Sequence, residues 1–136
     1  MISGLNHITL TVSNLGRSFE FYSKTLEFLP VARWKNGAYF ESEGLWLALL
    51  VGETTGTEEQ QDYSHIAFSC DQKNFKLLKS RLAAEGFPAW QENKSEGDSY
   101  YFCDPDGHKL EIHVGDLKSR VASMKNKPWA DFTFYR

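Results

Sequence analysis

The sequence predicts an α+β fold made of two tandem modules, each with the element order strand, helix, strand, strand, strand. The main observation is a repeat: NHITLTVSN, which begins at Asn6, matches SHIAFSCDQ, which begins at Ser64, in the His-Ile pair and the alternation after it. A segment with apolar residues at helical spacing follows each copy, and short apolar runs separated by turns come next. A repeat of this kind constrains the whole fold.

Length and composition predict one domain covering residues 1–136. The chain has 136 residues, of which 41% are hydrophobic, which suits one compact domain and is too little for two ordinary ones. We expect the modules at about 4–51 and 63–115, followed by a C-terminal helix and tail. Each module is near the lower size limit for a core of its own, so the two should pack together or exchange with a partner subunit.

The charge balance and the cysteine count exclude several classes of protein. With 15 basic and 18 acidic side chains, the net charge of −3 offers no field that attracts nucleic acid or a membrane surface. There is no apolar run long enough to span a membrane and no secretion signal, so we expect a cytoplasmic protein. Cys70 and Cys103 lie in apolar stretches, which is typical of buried free thiols in a reducing compartment.

The first module begins with a strand that has one apolar and one polar face. Ile8, Leu10 and Val12 alternate with a set of polar residues, namely His7, Thr9 and Thr11. A helix is predicted over NLGRSFEFYSKTLEF, and strands over FLPVARW, AYFES and LWLALLV. The Asn36-Gly37 pair and Glu43-Gly44 predict the two hairpin turns between those strands.

The second module repeats this order. A helix over QKNFKLLKSRLAAEGF should end at Gly86, and strands are predicted over PAWQEN, SYYFCD and HKLEIHV, separated by the loop KSEGD and the turn DPDG. The polar segment GETTGTEEQQD, residues 52–62, is predicted to be a solvated linker, and Asp116 to cap the helix DLKSRVASM. Two curved four-stranded sheets would then enclose a cleft that faces the polar sides of the strands.

Three residues on these polar faces form a candidate metal site. His7 and His65 occupy the same position in the repeat, and Glu111 lies within the last strand, where an unpaired carboxylate would be costly. Imidazole and carboxylate ligands suit Mn, Fe, Ni or Zn. The repeat aligns Ala48 with Glu111, so a fourth protein ligand is missing, and open coordination positions are typical of a catalytic metal.

With these residues, the chain resembles the vicinal oxygen chelate superfamily and, within it, the glutathione-using fosfomycin-resistance thiol transferases. The resemblance covers nearly the whole chain, from GLNHITLTV through RWKNGAYFE, DYSHIAFS and NKSEGDSYYF to DPDGHKLEIHVGDLKSR. The DPDGH segment is widespread in that superfamily, whereas NKSEGDS together with the His-x-Thr start is more specific. The implied fold is the vicinal oxygen chelate fold in a strand-exchanged homodimer.

The resemblance implies a complete site. Mn(II) would be held by His7, His65 and Glu111, with His7 coming from the other subunit. Fosfomycin would reach the metal beside Thr9 and Trp46, with its phosphonate bound by Ser95, Tyr101 and Arg120, and glutathione would contact Tyr39. The implied catalytic residues are Thr9, Tyr101 and Arg120. A K⁺ ion would bind the loop through Asn93, Ser95, Gly97 and Ser99, although such a loop is also compatible with an ordinary solvated turn.

One residue departs from the family pattern. Gln91 stands where the family generally has lysine, and Lys94 stands nearby where it usually has arginine. An amide can donate a hydrogen bond but brings no charge, so we expect weaker phosphonate binding by on the order of 1 kcal/mol or more. Fosfomycin is therefore either a poorer substrate here or not the physiological one.

Two other functions remain open from the sequence. Relatives that add water to fosfomycin need a general base over the epoxide, and Glu43, in a turn, is the one candidate. A binding module that sequesters a drug without metal would lack the His-His-Glu set. Relatives that use cysteine or bacillithiol tend to have Cys at the position of Thr9, which favours glutathione as the thiol.

Overall fold

The computed structural model describes residues 1–52, 58–127 and 129–135, so residues 53–57 of the predicted linker lie outside the described residues. Both modules begin with a strand and a helix, as the repeat predicts. The first contains β1 His7–Val12, α1 Leu15–Glu20, β2 Leu29–Trp34, β3 Gly37–Ser42 and β4 Leu45–Val51. The second contains β5 Ile66–Ser69, α2 Gln72–Ala84, β6 Ser99–Cys103 and β7 Lys109–His113, and α3 Leu117–Asn126 follows.

The two sheets have equivalent strand orders and registers. The first runs β1-β4-β3-β2 and the second β5-β7-β6, with a parallel pair at the start of each. Thr9 pairs with Ala48 in the first sheet, and Ala67 pairs with Glu111 in the second. Ala48 and Glu111 therefore occupy matching positions, which confirms the alignment of the two final strands predicted from the repeat.

The prediction of a strand over PAWQEN is wrong. This segment makes one isolated bridge, between Gln91 and Tyr101, and the described part of the second sheet has three strands instead of four. Trp90 lies over β6, donating its backbone N–H to Tyr101 O and its indole N–H to Phe102 O, each at 3.0 Å. The side chain of Asn93 then forms hydrogen bonds with the backbone of residues 95 and 97, which turns the chain away from β6. No further residue of this segment is therefore in a position to pair with β6.

The helix of the first module changes its winding along its length. Asn14 caps α1 by accepting from Arg17 N, as the polar pair predicts, and the helix continues as a π-helical turn over Phe21–Thr25. Hydrophobic spacing predicts that a helix is present but does not distinguish α from π winding. In the second module, Asp71 caps α2, and Gly86, with φ of 90°, ends it as predicted.

The two modules share one core, and the DPDG turn fastens them together. Tyr22 is fully buried and donates its hydroxyl to Asp104 Oδ2 at 2.6 Å, so burial, with Asp104 beside it, raises the Tyr22 pKa well above its usual value. Asp106, also buried, accepts from Ser13 N at 3.0 Å and from Ser18 Oγ at 3.3 Å. The turn of the second module therefore holds the helix of the first.

Cys70 and Cys103 are both free and half-buried. Burial, with the nearby Glu59 and Asp104, raises the pKa of the Cys103 thiol to about 11, which keeps it protonated and unreactive at neutral pH. In residues 1–52, 58–127 and 129–135, no helix combines the length and the apolar character that crossing a membrane requires.

Candidate active site

A cleft of about 700 Å³ lies on the face of the second sheet that points away from the core. His65 and Glu111 line it together with three of the predicted anion-binding residues, Ser95, Tyr101 and Arg120. The β5–β7 and β6–β7 pairings bring Ala67 and Tyr101 to either side of Glu111. The sheet register thus gathers onto one surface residues that are about a third of the chain apart.

His65 and Glu111 form a pair that fits a cation. His65 Nε2 lies 3.0 Å from Glu111 Oε1, and His65 Nδ1 lies 2.8 Å from the Tyr63 carbonyl oxygen. Because a carbonyl only accepts, Nδ1 carries the hydrogen, and a neutral ring presents the Nε2 lone pair to the carboxylate. Two lone pairs at this distance require a proton or a metal ion between them, and imidazole with carboxylate is a usual donor set for divalent metals.

The second oxygen of Glu111 is held by a hydrogen-bonded chain. Ser99 Oγ donates to Glu111 Oε2 at 2.6 Å and lies 2.6 Å from His113 Nδ1. Since the hydroxyl hydrogen goes to the carboxylate, the Ser99 oxygen accepts from the Nδ1–H of His113. Glu111 is 6% exposed, so this chain fixes the direction of a buried carboxylate. The sequence assigns Ser99 to the cation loop but does not reveal this contact.

Arg120 forms the basic wall of the cleft. It lies on α3, whose start is fixed by the Asp116 capping box, and its guanidinium is 3.3 Å from Glu96 Oε2 and 3.2 Å from the Glu96 carbonyl oxygen. Its Nη2 also donates to Ser95 Oγ at 3.3 Å. The fork is thus held in place beside a hydroxyl, an arrangement that suits a multiply charged oxyanion.

The loop predicted to bind K⁺ is closed by its own side chains. Asn93 Oδ1 accepts from the Ser95 backbone N–H at 3.0 Å, and Asn93 Nδ2 donates to the Gly97 carbonyl oxygen at 2.7 Å. Gly97 has φ of 78°, and a Cβ there would come 2.4 Å from the Val114 carbonyl oxygen. Glycine is therefore required at this position, and the loop has a defined shape.

The remaining predicted site residues lie on the first sheet, outside this cleft. A row of aromatic rings crosses its outward face: His7 to Trp46 at 4.4 Å, Trp46 to Tyr39 at 5.2 Å, and Tyr39 to Trp34 at 4.8 Å. His7 and Thr9 are exposed beside this row. Within the described ranges of the single chain, no three His, Cys, Asp or Glu side chains are grouped to hold a metal.

Comparison with known proteins identifies the family. The model of the Glyoxalase/Bleomycin resistance protein/Dioxygenase superfamily matches residues 4–112. The chain is also 43% identical over 136 residues to the glutathione transferase FosA of Serratia marcescens, covering 98% of this chain and 96% of that one. The protein belongs to the fosfomycin-resistance enzymes of this superfamily.

Two further relatives show the diversity of these fosfomycin-resistance enzymes. The metallothiol transferase FosB of Shouchella clausii is 39% identical over 127 residues, covering 90% of this chain and 87% of that one. A crystal structure of a variant of FosX from Listeria monocytogenes, complexed with Mn(II) and 1S,2S-dihydroxypropylphosphonic acid, matches with a TM-score of 0.75 and 30% identity. That match covers 90% of this chain and 99% of the other.

Sequence reasoning missed several residues of the cleft. Tyr63, Glu92 and Trp129 line it, and Trp90 packs against Tyr101 at 5.2 Å. Tyr63 lies next to the second His-Ile pair, and Trp90 lies shortly before the KSEGD loop. Their place beside these predicted site segments is the feature of the sequence that could have indicated them. Trp129 lies in the tail, where no periodicity connects it with the sheet.

Proposed function

We propose that this protein is a Mn(II)-dependent transferase that adds the thiol of glutathione to the epoxide of fosfomycin. The observation that carries the proposal is the His65–Glu111 pair, with Nε2 and Oε1 3.0 Å apart, in a cleft lined by Arg120. A metal ligand pair beside an anion-binding wall suits a substrate that has a phosphonate close to an epoxide. The identity to the Serratia marcescens glutathione transferase supports glutathione as the thiol.

His65 and Glu111 would hold the metal, with His7 of a second subunit as the third ligand. When bound, a divalent ion supplies a Lewis acid that stabilises the negative charge developing on the epoxide oxygen as the ring opens. The chain's own contribution is orientation. Tyr63 O fixes the ring of His65, and Ser99 fixes the carboxylate of Glu111, so both ligands are arranged before the metal binds.

Arg120, Ser95 and Tyr101 would bind the phosphonate. Its contacts with Glu96 and Ser95 hold the guanidinium against the cleft wall. Lys94 also lines the cleft, whereas Gln91 donates its amide to the Tyr63 hydroxyl at 3.1 Å. The anion site therefore has two cations and an amide, which should bind a dianion less tightly than three cations would.

The first sheet would complete the site from the partner of a strand-exchanged homodimer. His65, which directly precedes β5, corresponds to His7 at the start of β1, and His7 is exposed. Every residue of β2 is exposed in the single chain, including Leu29 at 63% and Val31 at 65%, an apolar edge that a second subunit would cover. Thr9 and Trp46 would then approach the epoxide, and Tyr39 would contact the thiol.

The 93–99 loop would hold K⁺ through Asn93, Ser95, Gly97 and Ser99. Two observations support this: the loop has a fixed shape, and it is hydrogen-bonded to the rest of the site. Ser99 donates to Glu111, and Ser95 accepts from Arg120. A monovalent cation there would sit beside the phosphonate wall and add positive charge to it. We assign the reaction to the cytoplasm, where glutathione and free cysteines such as Cys70 and Cys103 stay reduced.

Addition of water is the second candidate, and the match to the Listeria FosX complex with a dihydroxypropylphosphonic acid favours considering it. Its candidate base, Glu43, lies at the β3–β4 turn with φ of 48° and lines a different cavity of about 360 Å³. Glu43 does not line the cleft with His65 and Glu111 and, as part of the first sheet, it would reach that cleft from the partner subunit, so the comparison of glutathione with water decides between the two reactions.

The test compares turnover of fosfomycin with glutathione, cysteine and water, each with and without Mn(II). We expect the glutathione adduct to dominate and to require the metal. A diol product at equal or greater rate would contradict the transferase assignment. No turnover with any of the three would mean that another substrate is the natural one.

A further inference from the structure

We infer that Lys109 is a positioning residue that orients His65 toward Glu111. This inference rests on the proposed function only in treating His65 as a metal ligand. Lys109 is on β7, two residues before Glu111 and on the same face of the strand, yet it is 9% exposed. A buried ammonium is costly unless polar groups compensate it, so its contacts should have a definite role.

Lys109 Nζ makes two contacts, and both lead to the wall of the cleft. It donates to the Asp62 carbonyl oxygen at 2.7 Å and lies 4.7 Å from the centroid of the Trp90 ring. No carboxylate within the described residues forms a salt bridge with it. The ammonium therefore ties the 60–65 segment to Trp90, and neither contact is a simple ion pair.

The segment that Lys109 anchors is the one that sets the tautomer of His65. Asp62 Oδ1 accepts from Ser64 N at 2.9 Å, which closes a turn, and the Tyr63 carbonyl inside that turn accepts from His65 Nδ1 at 2.8 Å. The peptide group held by Lys109 directly precedes Tyr63. If it rotates, the Tyr63 carbonyl moves away from Nδ1, and His65 loses the bond that leaves its Nε2 free to bind a metal.

Trp90 is a second neighbour of the same ring. Its indole packs edgewise against His65 at 5.9 Å and against Tyr101 at 5.2 Å, while Lys109 covers one face of the indole. Lys109 thus holds both neighbours of His65, the preceding turn and the adjacent ring. Since these neighbours leave the imidazole little freedom, a single buried cation accounts for the orientation of a ligand that lies just before β5.

The experiment compares two variants. Lys109→Met keeps the length of the side chain but removes its charge and its hydrogen-bond donors, whereas Lys109→Arg keeps the charge and the donors. The control is Lys79→Met, because Lys79 also lies over an aromatic ring, Tyr100 at 5.9 Å, but on exposed α2. The first readout is the His65 Nδ1–H in the metal-free protein, from ¹H–¹⁵N spectra, in which slow exchange with water reports its hydrogen bond to the Tyr63 carbonyl. The second is Mn(II) affinity, measured by the paramagnetic resonance of the free ion.

We expect Lys109→Met to lose the slow exchange of the Nδ1–H and to bind Mn(II) about 10- to 100-fold more weakly, the usual cost of removing an outer-shell partner. Lys109→Arg and Lys79→Met should keep the parent exchange rate and affinity. A folded Lys109→Met protein with the parent exchange rate would overturn the inference, and so would a folded Lys109→Arg protein that has lost the slow exchange. Absence of Mn(II) binding in the parent contradicts the proposed function instead, while the exchange rate still tests Lys109.

Discussion

Replacing Gln91 with lysine should improve fosfomycin binding, because it adds a cation to the proposed anion site at the position where the family resemblance implies one. The Gln91 amide lies at the edge of the cleft and donates to the Tyr63 hydroxyl at 3.1 Å. Gln91 lines the same cleft as Lys94 and Arg120. A lysine side chain is longer and ends in a charged donor, so it can reach an oxyanion bound between those two cations.

The size of the effect follows from the contacts exchanged. A hydrogen bond from a charged donor contributes about 1.5–3 kcal/mol and a neutral one about 0.5–1.5 kcal/mol, so the change gains about 1–1.5 kcal/mol. Loss of the exposed Gln91–Tyr63 bond removes a few tenths of a kcal/mol from that gain. The net benefit of about 1 kcal/mol corresponds to a roughly fivefold lower KM.

The assay is steady-state turnover of fosfomycin with glutathione and Mn(II) in excess. The KM should fall while kcat stays the same, since the charge binds ground state and transition state alike, and added salt should reduce the gain. Gln91→Met is the matched control, because it removes the bond to Tyr63 without adding charge and should not lower KM. An unchanged or higher KM for Gln91→Lys would refute the reasoning and direct the search to substrates other than fosfomycin.

Three further predictions concern the 93–99 loop and the DPDG turn, which holds the helix of the first module. Replacing Na⁺ with K⁺ at fixed ionic strength should raise activity, and an equal rate in both would leave the 93–99 loop an ordinary turn. Tyr22→Phe should lower the free energy of unfolding by about 1–3 kcal/mol in urea titrations, because it removes a buried bond to the Asp104 carboxylate; no change would show that this bond does not fasten the modules. The hydrogen bond to Asp104 raises the His108 pKa above 6.5, so its stabilising contribution is complete below that pH and is lost as pH rises through the higher folded value. His108→Gln should abolish that part of the pH dependence of unfolding, and an unaltered profile would contradict it.

The repeat allowed much of the fold to be predicted, since a two-residue period fixes which side chains share a face. It placed Ala48 and Glu111 in matching registers and brought His65 to Glu111 across the parallel pair. It failed at PAWQEN, where Trp90 uses its indole to bond β6 and Asn93 turns the chain away. Side-chain bonds of this kind leave no periodic trace in a sequence.

The residues of the candidate site could be predicted, but the contacts that hold them in place could not. The sequence pattern indicated His65 and Glu111, the family resemblance implied Ser95, Tyr101 and Arg120, and all five line one cleft. Residue types alone did not reveal that Lys109 is buried against Trp90 or that Glu96 holds Arg120, because those contacts depend on how loops fold over the sheet. In the proposed dimer, the place of His7 would depend on a second subunit, which no pattern within one chain can fix.

The central claim, that each metal site combines two subunits, is tested most directly by mixing two inactive variants. His7→Ala and Glu111→Ala should each bind almost no Mn(II) as homodimers. In a randomly exchanged equal mixture, about half of the dimers contain both variants, and each of these has one intact site, so about a quarter of the parent Mn(II) occupancy and activity should return. If the exchanged mixture stays as metal-free as its components, or if either variant alone binds Mn(II) like the parent, the shared site formed by His7, His65 and Glu111 is contradicted.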